Sequence, residues 1–166
     1  MPERTTHPAT IVMERIYEAP PGRVFAAWSD QQALLRWGSP GEDWDMTYES
    51  FDFREGGGDI CRFGPKGGAV YVNETRYFDI VPDQRIVSAG TMTTGDRRLF
   101  AGLLTIEFHP SGKGCRMVLT EQGVFLDGHD YPENHEGGWN QMLDQLGEEL
   151  ERNRSAAELR AEERAT

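Results

Sequence analysis

Six short segments between residues 46 and 123 alternate apolar and polar residues, and this run leaves few folds open to the chain. Such alternation is typical of β-strands with one buried face and one solvated face. The breaks between the segments are rich in Gly, Pro, Asp and Ser and are too short for helical crossovers, so they favour antiparallel hairpins. The predicted strands cover residues 46–53, 58–63, 69–80, 85–92, 98–108 and 115–123.

A seventh strand and two short helices are predicted ahead of this meander. Residues 10–18 alternate in the same way and stop at Pro20-Pro21. Proline is tolerated in the first turn of a helix, so the pattern predicts a helix over 21–29. Asp30 is placed to cap a second helix over 31–38, which ends at Gly38, a residue type that accepts left-handed backbone angles.

A long helix is predicted after the meander. Asp130 and Glu133, with Pro132 between them, resemble a capping box at its start. Gly137 and Gly138 weaken its first turns, which indicates that a strand, a loop or a ligand packs closely there. Its apolar stripe needs a large surface to cover, and the concave face of the sheet is the one available. The stripe consists of Trp139, Met142, Leu143, Leu146 and Leu150.

The charge and amino-acid composition of the chain argue against some classes of binding partner. The 28 acidic residues outnumber the 17 basic ones, and the net charge of −11 repels nucleic acid. No apolar run approaches the roughly 18 residues that cross a bilayer, and residues 1–10 lack the order of a secretory signal, so a cytoplasmic protein is expected. Cys61 and Cys115 are expected to be reduced, partly buried thiols, although they could also meet across neighbouring strands.

Five motifs, taken in order, carry a family resemblance. They are RIYEAPPGRVFAAWSDQQALLRW at 15–37, REGGGDICRF at 54–63, ETRYFDIVPDQRIV at 74–87, LTIEFHPSGKGCRMVLTEQG at 104–123 and HEGGWNQMLDQLGEEL at 135–150. In this order the chain resembles the helix-grip (SRPBCC) superfamily of birch-pollen-allergen-like proteins, START lipid-transfer domains and polyketide cyclases. More closely, it is similar to the branch named for the activator of the heat-shock chaperone's ATPase, the AHSA-type proteins.

The resemblance implies an α+β helix-grip fold, in which a curved antiparallel sheet of about seven strands wraps around the C-terminal helix. It covers residues 10–152, leaving 1–9 and 153–166 as terminal extensions; the charged, Ala-rich tail from 151 is expected to be a solvated helix or a frayed end. It also implies a cavity between the sheet and that helix, a usual setting for an apolar small molecule. The expected lining residues are Trp37 and Trp44 near the mouth, Phe63 and Tyr71 from the sheet, Phe125 in the loop after the last strand, and His135, Trp139 and Met142 on the helix.

The sequence gives less support to a metal site, a phosphate-binding loop or a catalytic site. His129, Asp130, Glu133, His135 and Glu136 are a ligand-rich array, but their spacing is not that of a known helical zinc motif, so no metal is expected. The Gly clusters at 56–58 and 64–68 join strands and lack the phosphate-loop pattern, so no cofactor is expected. Catalysis by His135 would need a converging polar partner. The candidates are Tyr71, Asn73, Glu121 and Gln122, and no catalytic residue is assigned.

The resulting expectation is a domain that binds a small hydrophobic or aromatic molecule in its cavity. A protein-interaction domain of the chaperone-activator kind is the alternative, and a cyclase- or dehydratase-type enzyme is a third. An edge strand or the outer face of the sheet is where a homodimer would form. The fold family by itself does not choose among these functions.

Overall fold

The computed structural model describes residues 3–154 and 156–165, and in this part of the chain seven strands form one antiparallel sheet. The strands are β1 (Thr6–Tyr17), β2 (Trp44–Phe51), β3 (Gly58–Pro65), β4 (Tyr71–Val81), β5 (Arg85–Thr94), β6 (Arg97–Ser111) and β7 (Gly114–Leu126). The helices are α1 (Pro21–Ser29), α2 (Gln31–Trp37), α3 (Pro132–Arg152) and α4 (Ala156–Ala165). The predicted α+β fold with a long C-terminal helix is confirmed.

The sheet runs in the order β1-β7-β6-β5-β4-β3-β2, so β2 to β7 form the predicted meander and β1 pairs with its last strand. The pairing register shifts between Tyr48 and Ser50, between Tyr77 and Asp79, and between Met92 and Thr93. Such bulges bend the strand that carries them and increase its twist. They help the sheet to curve around α3.

The two short helices form largely as predicted. Pro21 opens α1, and the Asp30 carboxylate accepts a hydrogen bond from the Gln32 backbone N–H at 3.1 Å, which caps α2. The expected left-handed conformation of Gly38 is wrong, because its φ is −82°. A Cβ on Gly38 would lie 2.6 Å from the Leu34 carbonyl oxygen, so close approach of the backbone is what favours glycine here.

Polar contacts fix the position of α3 against the rest of the fold. The Tyr17 hydroxyl donates to the Leu143 carbonyl at 2.7 Å, and burial raises the pKa of this phenol. The buried Glu149 carboxylate accepts from Arg36 of α2 at 2.7 Å. Gln145 donates to the carbonyls of Trp37 and Ser39 at 2.6 Å. Leu143, Leu146 and Leu150 of the predicted stripe are buried between these contacts.

The predicted start of α3 needs correction. Tyr131, not Asp130, occupies the N-cap position, and no side chain caps the helix there. The Asp130 carboxylate instead accepts from the Tyr131 backbone N–H at 2.9 Å and from the Asn134 side-chain amide at 3.0 Å. Asp130 is therefore held just ahead of the helix, where it is free to contact His135.

Two further sequence expectations are corrected by the sheet order. Cys61 on β3 and Cys115 on β7 are separated by three strands, so these buried free thiols do not meet. Phe125 lies within β7 and not in a following loop, because β1 continues to pair with β7 as far as Leu126. Within the described ranges, no helix is long and apolar enough to span a membrane.

Candidate functional site

A cavity of about 770 Å³ lies between the concave face of the sheet and α3. Its size falls within the range of about 300–1,000 Å³ that small-molecule sites occupy. All four tryptophans of the chain contribute to its wall: Trp28 from α1, Trp37 from α2, Trp44 from β2 and Trp139 from α3. Trp44, Phe63 and Tyr71 form a stack of rings across β2, β3 and β4, with centroids 6.4 and 5.5 Å apart. Ten Phe, Tyr and Trp side chains therefore contribute to the wall of the cavity.

One end of the cavity carries a buried cluster of charged side chains. His135 Nδ1 lies 2.6 Å from Glu121 Oε1, and His135 Nε2 lies 2.7 Å from Asp130 Oδ2. A doubly protonated imidazolium can donate to both carboxylates at once. This cluster, which we call the carboxylate–histidine cluster, joins β7, the segment before α3 and the first turn of α3.

The contacts within the cluster alter its proton affinities. Burial alone would lower the pKa of His135, but its hydrogen bonds and charge interactions with Asp130 and Glu121 raise it to about 9. Burial alone would raise the pKa of Asp130, but the hydrogen bonds from His135 and Asn134 hold it below its usual value. His135 therefore carries a positive charge at neutral pH and is flanked by two carboxylates.

Aromatic rings hold the imidazole of His135 in place. The rings of Phe100 and Phe125 each lie 4.7 Å from it, centroid to centroid. Phe100 folds over Gly102 and Gly123, which are paired across β6 and β7. A Cβ on either glycine would come within 2.5 Å of a Phe100 ring carbon, so both positions need glycine for this ring to reach the histidine.

A second polar group lies on β2, β3 and β4. The Tyr77 hydroxyl donates to Asp59 Oδ2, and the side chains of Tyr48 and Cys61 share a hydrogen bond. Burial raises the pKa of the Asp59 carboxyl above its usual range, despite the hydrogen bond from Tyr77. Burial and the nearby Asp59 raise the pKa of the Cys61 thiol to about 12, which disfavours the reactive thiolate. All four side chains line the cavity.

The indole N–H of Trp28 is a buried donor in the wall of the cavity. It is the one buried side-chain nitrogen or oxygen without a hydrogen-bond partner among the residues that the structure describes. A buried donor left unpaired costs about 1–3 kcal/mol. The neighbouring Trp37 differs, because its indole N–H donates to the Ala27 carbonyl at 2.9 Å.

Most of the predicted lining residues lie on the cavity wall, and one does not. Phe125 lies outside the wall and packs behind it against Phe100 and His135. Trp37 is fully buried, so it does not lie at the mouth. The predicted residues on the wall are Trp37, Trp44, Phe63, Tyr71, His135, Trp139 and Met142.

Of the four polar residues considered as partners of His135, three line the cavity and one does not. Glu121 binds His135, and Tyr71 and Asn73 line the cavity, whereas Gln122 is exposed and lies outside the wall. Asp59 and Tyr77 were not among the predicted site residues. Asp59, Cys61 and Phe63 alternate along β3, and this spacing of two could have indicated that Asp59 faces the same side as Phe63.

Two residues of the ligand-rich array at 129–136, Asp130 and His135, are hydrogen-bonded to each other. In the described residues, no group of three or more His, Cys, Asp or Glu side chains is arranged to hold a metal ion. Both ring nitrogens of His135 face carboxylate oxygens, so neither presents a lone pair to a metal.

Gly137 and Gly138 have open space beside them. A Cβ on either residue would meet nothing within 4 Å, apart from the backbone of the helix itself, and both residues line the cavity. The expectation that a strand or a loop packs closely against them is therefore wrong.

The comparison with protein families identifies the chain's relatives. The model of the family described as activator of Hsp90 ATPase homolog 1-like protein matches residues 18–151. The chain belongs to this family. Membership confirms the resemblance inferred from the five motifs and is consistent with a ligand-binding or interaction domain, without specifying a ligand or a partner.

Solved structures agree with membership in the activator of Hsp90 ATPase homolog 1-like family. An uncharacterized protein from Rhizobium leguminosarum is 37% identical, with a TM-score of 0.83 over 91% of this chain and 99% of its own. A protein from Rhizobium loti is 40% identical, with a TM-score of 0.79 over 87% and 99% of the two chains. An AHSA1-like protein from Aeromonas hydrophila shares the fold at 20% identity, with a TM-score of 0.66 over 86% and 92%. Among curated proteins, none matches.

Proposed function

We propose that this protein binds a small apolar or aromatic molecule in the cavity between the sheet and α3. The observation that carries the proposal is the cavity of about 770 Å³, to whose wall all four tryptophans contribute. Apolar walls with a few placed polar groups are the usual composition of a small-molecule site. The ligand would lie against Trp139 and Met142 on one side and against the rings of Trp44, Phe63 and Tyr71 on the other. Its polar end would face His135 and Glu121.

The protein-interaction alternative receives less support from the surface. A docking face usually presents a contiguous apolar patch. Val12 and Ile16 are exposed on β1, while Phe78 is exposed on β4, four strands away in the sheet. These apolar residues are scattered, whereas ten Phe, Tyr and Trp side chains line one cavity inside the fold. We therefore place function in the cavity, within the domain formed by residues 10–152.

The test is to fill the cavity and measure the binding of a neutral apolar fluorophore, N-phenyl-1-naphthylamine. Met142 is half-buried on the cavity side of α3, so Met142→Trp places a larger side chain into the cavity. We expect the fluorophore to bind the unmodified protein with micromolar affinity and to raise its melting temperature, because binding to the native state alone stabilises it. In Met142→Trp, affinity should fall at least tenfold.

Glu148→Trp is the matched control. Glu148 is exposed on the same helix and lies outside the cavity wall, so this variant adds an indole without narrowing the cavity. Its affinity for the fluorophore should equal that of the unmodified protein. Equal binding by all three proteins, or binding by none of them, would contradict the proposal.

A further inference from the structure

The two edge strands of the sheet differ in how well they resist pairing with another strand. β2, at one edge, has eight residues and a shift in its pairing register between Tyr48 and Ser50. β1, at the other edge, has twelve residues and pairs with β7 in one unbroken register from Thr6 to Tyr17. A short or bulged edge strand discourages further pairing, whereas a long regular one permits it. In the described part of the chain β1 pairs with β7 alone, so its other side is available to a further strand.

The outer face of β1 carries two exposed apolar side chains. Val12 is 63% exposed and Ile16 is 69% exposed, with Glu14 between them. Residues two apart in a strand point to the same face, so these three form one row. Tyr17 lies on the opposite face and contacts α3, so the row points away from the cavity. Two apolar side chains make only a small patch, so association here would depend mainly on the unpaired backbone beside them.

The proline-free part of β1 is centred on Glu14. Pro8 and Pro20 are each six residues from it, and proline has no backbone N–H to donate to a partner strand. If two copies of β1 pair antiparallel about a two-fold axis at Glu14, both prolines lie beyond the ends of the ladder. The same register places Val12 opposite the second copy's Ile16. Each exposed apolar side chain then gains an apolar neighbour across the strands, a stabilising kind of pair.

The groove beside β1 adds charge complementarity to this register. Glu136 of α3 lines the groove together with residues of β1. The second copy's Arg15 would lie opposite Met13, on the side of the sheet that faces α3, and would bring a positive charge to Glu136. At the axis the two Glu14 carboxylates would face each other, but each lies 3.7 Å from Arg116 of its own chain, which offsets their repulsion.

We propose that β1 is an interface for a second copy of this chain, and that the two β1 strands pair antiparallel about a two-fold axis at Glu14. The surface is self-complementary, as a two-fold interface requires. Pairing would join the two sheets edge to edge. This inference goes beyond the proposed function and does not depend on it, because the cavity lies on the other face of the sheet.

The first test is sedimentation velocity in about 150 mM NaCl, which screens repulsion between the two acidic copies beyond about 8 Å. We expect a dimer with a Kd on the order of 10 µM, because an edge-to-edge interface is small. Val12→Lys should raise the Kd at least tenfold, whereas Phe78→Lys makes the same kind of change at an exposed site on β4 and should leave it unchanged. A protein that stays monomeric up to about 500 µM, or a Kd that Val12→Lys does not raise, would overturn the proposal.

Cysteine cross-linking tests the register separately. Glu14→Cys would face itself across the axis, with the two Cα atoms about 4.5–5.5 Å apart and within disulfide reach. Val12→Cys is the matched control, because the two copies of residue 12 would lie more than about 10 Å apart. After oxidation with copper phenanthroline, Glu14→Cys should run as a linked dimer on a denaturing gel. Val12→Cys should stay monomeric, as should the unmodified protein, whose two cysteines are buried.

No linkage of Glu14→Cys, or equal linkage of Val12→Cys, would contradict the proposed register and overturn the proposal. Fluorophore binding in the cavity is measured separately, so failure of this interface leaves the proposed function standing.

Discussion

Two indole N–H groups in neighbouring helices are in opposite situations. Trp37 is fully buried and donates to the Ala27 carbonyl, one of the last carbonyls of α1, which have no partner within their own helix. Trp28 is also buried, but its N–H has no partner. The two rings lie 4.7 Å apart, so their packing environments are similar while their hydrogen bonding differs.

We therefore expect Trp37→Phe to destabilise the protein more than Trp28→Phe. Both changes remove a similar volume, but only Trp37→Phe breaks a hydrogen bond and leaves a buried carbonyl unpaired. The difference in the free energy of unfolding should be about 1–2 kcal/mol, measured by urea denaturation at pH 7. Equal losses, or a larger loss for Trp28→Phe, would show that these hydrogen bonds do not decide the cost.

His135 makes stability depend on pH in a predictable direction. Its pKa rises from 6.5 to about 9 on folding, so its contribution is fully present below pH 6.5 and is lost as the pH rises through 9. The cost of His135→Gln should be larger at pH 6 than at pH 9.5, by on the order of 2–3 kcal/mol. Urea denaturation of both proteins across this range measures it.

His7→Gln is the control for this experiment, because His7 is exposed on β1 and makes no hydrogen bond to the cluster, although it lies opposite Phe125 in the pairing of β1 with β7. Its effect on the free energy of unfolding should be small and constant across the same pH range. A cost of His135→Gln that does not change with pH would mean that His135 is not charged in the folded protein.

Individual residues of the site could be predicted only where a motif or a periodic pattern indicated their position. His135, Trp139 and Met142 lie on the strongly periodic α3, so their shared face was predictable. Glu121 was one of four candidate partners of His135, but the sequence could not single it out, because the contact depends on how β7 lies against the start of α3 in three dimensions. Asp59 was missed for a similar reason: alternation predicts that β3 has two faces, but it does not say which one points inward.

At the scale of elements, α3 combines a long apolar stripe with three glycines, Gly137, Gly138 and Gly147. Gly138 borders open cavity space, whereas a Cβ at Gly147 would lie 3.5 Å from the Tyr17 ring in ordinary contact. Glycine within a helix costs about 0.5–1 kcal/mol relative to alanine. Gly138 therefore lowers the stability of α3 and leaves space beside the helix that no protein side chain fills.

Gly138→Ala and Gly147→Ala should each raise the free energy of unfolding by about 0.5–1 kcal/mol. Only Gly138→Ala adds a methyl group to the cavity, so only this variant should weaken the binding of N-phenyl-1-naphthylamine, by a few-fold. Thermal denaturation and fluorophore titration on the two variants check both expectations. A similar loss of affinity in Gly147→Ala would argue against binding at Gly138.

Element types were predictable, but some of their ends were not. The turn residues marked every hairpin, and Pro21 and Asp30 marked the starts of α1 and α2. The start of α3 was mispredicted, because Asp130 has the residue type of a cap but accepts hydrogen bonds from Asn134 and His135 instead. The contacts of Asp130 with Asn134 and His135 therefore decided its role, although its local sequence favours a helix cap.

For the whole molecule, the order of strands and helices is enough to predict the helix-grip architecture, and the family match confirms it. An open cavity could not be predicted from the residues alone, because a stripe of aromatic residues can also fill a core completely. The space depends on the curvature of the sheet and on the distance of α3 from it, and both arise from many long-range contacts.

Methionine methyl groups provide the most direct test of binding in the cavity. Met46, Met92 and Met142 line it, while Met13 and Met117 lie outside its wall. We would titrate protein labelled with ¹³C at the methionine methyl groups with N-phenyl-1-naphthylamine and follow each signal by NMR. The account predicts that the signals of Met46, Met92 and Met142 shift in a saturable manner while those of Met13 and Met117 stay in place. Saturable shifts confined to Met13 or Met117, or no shifts at all, would contradict it.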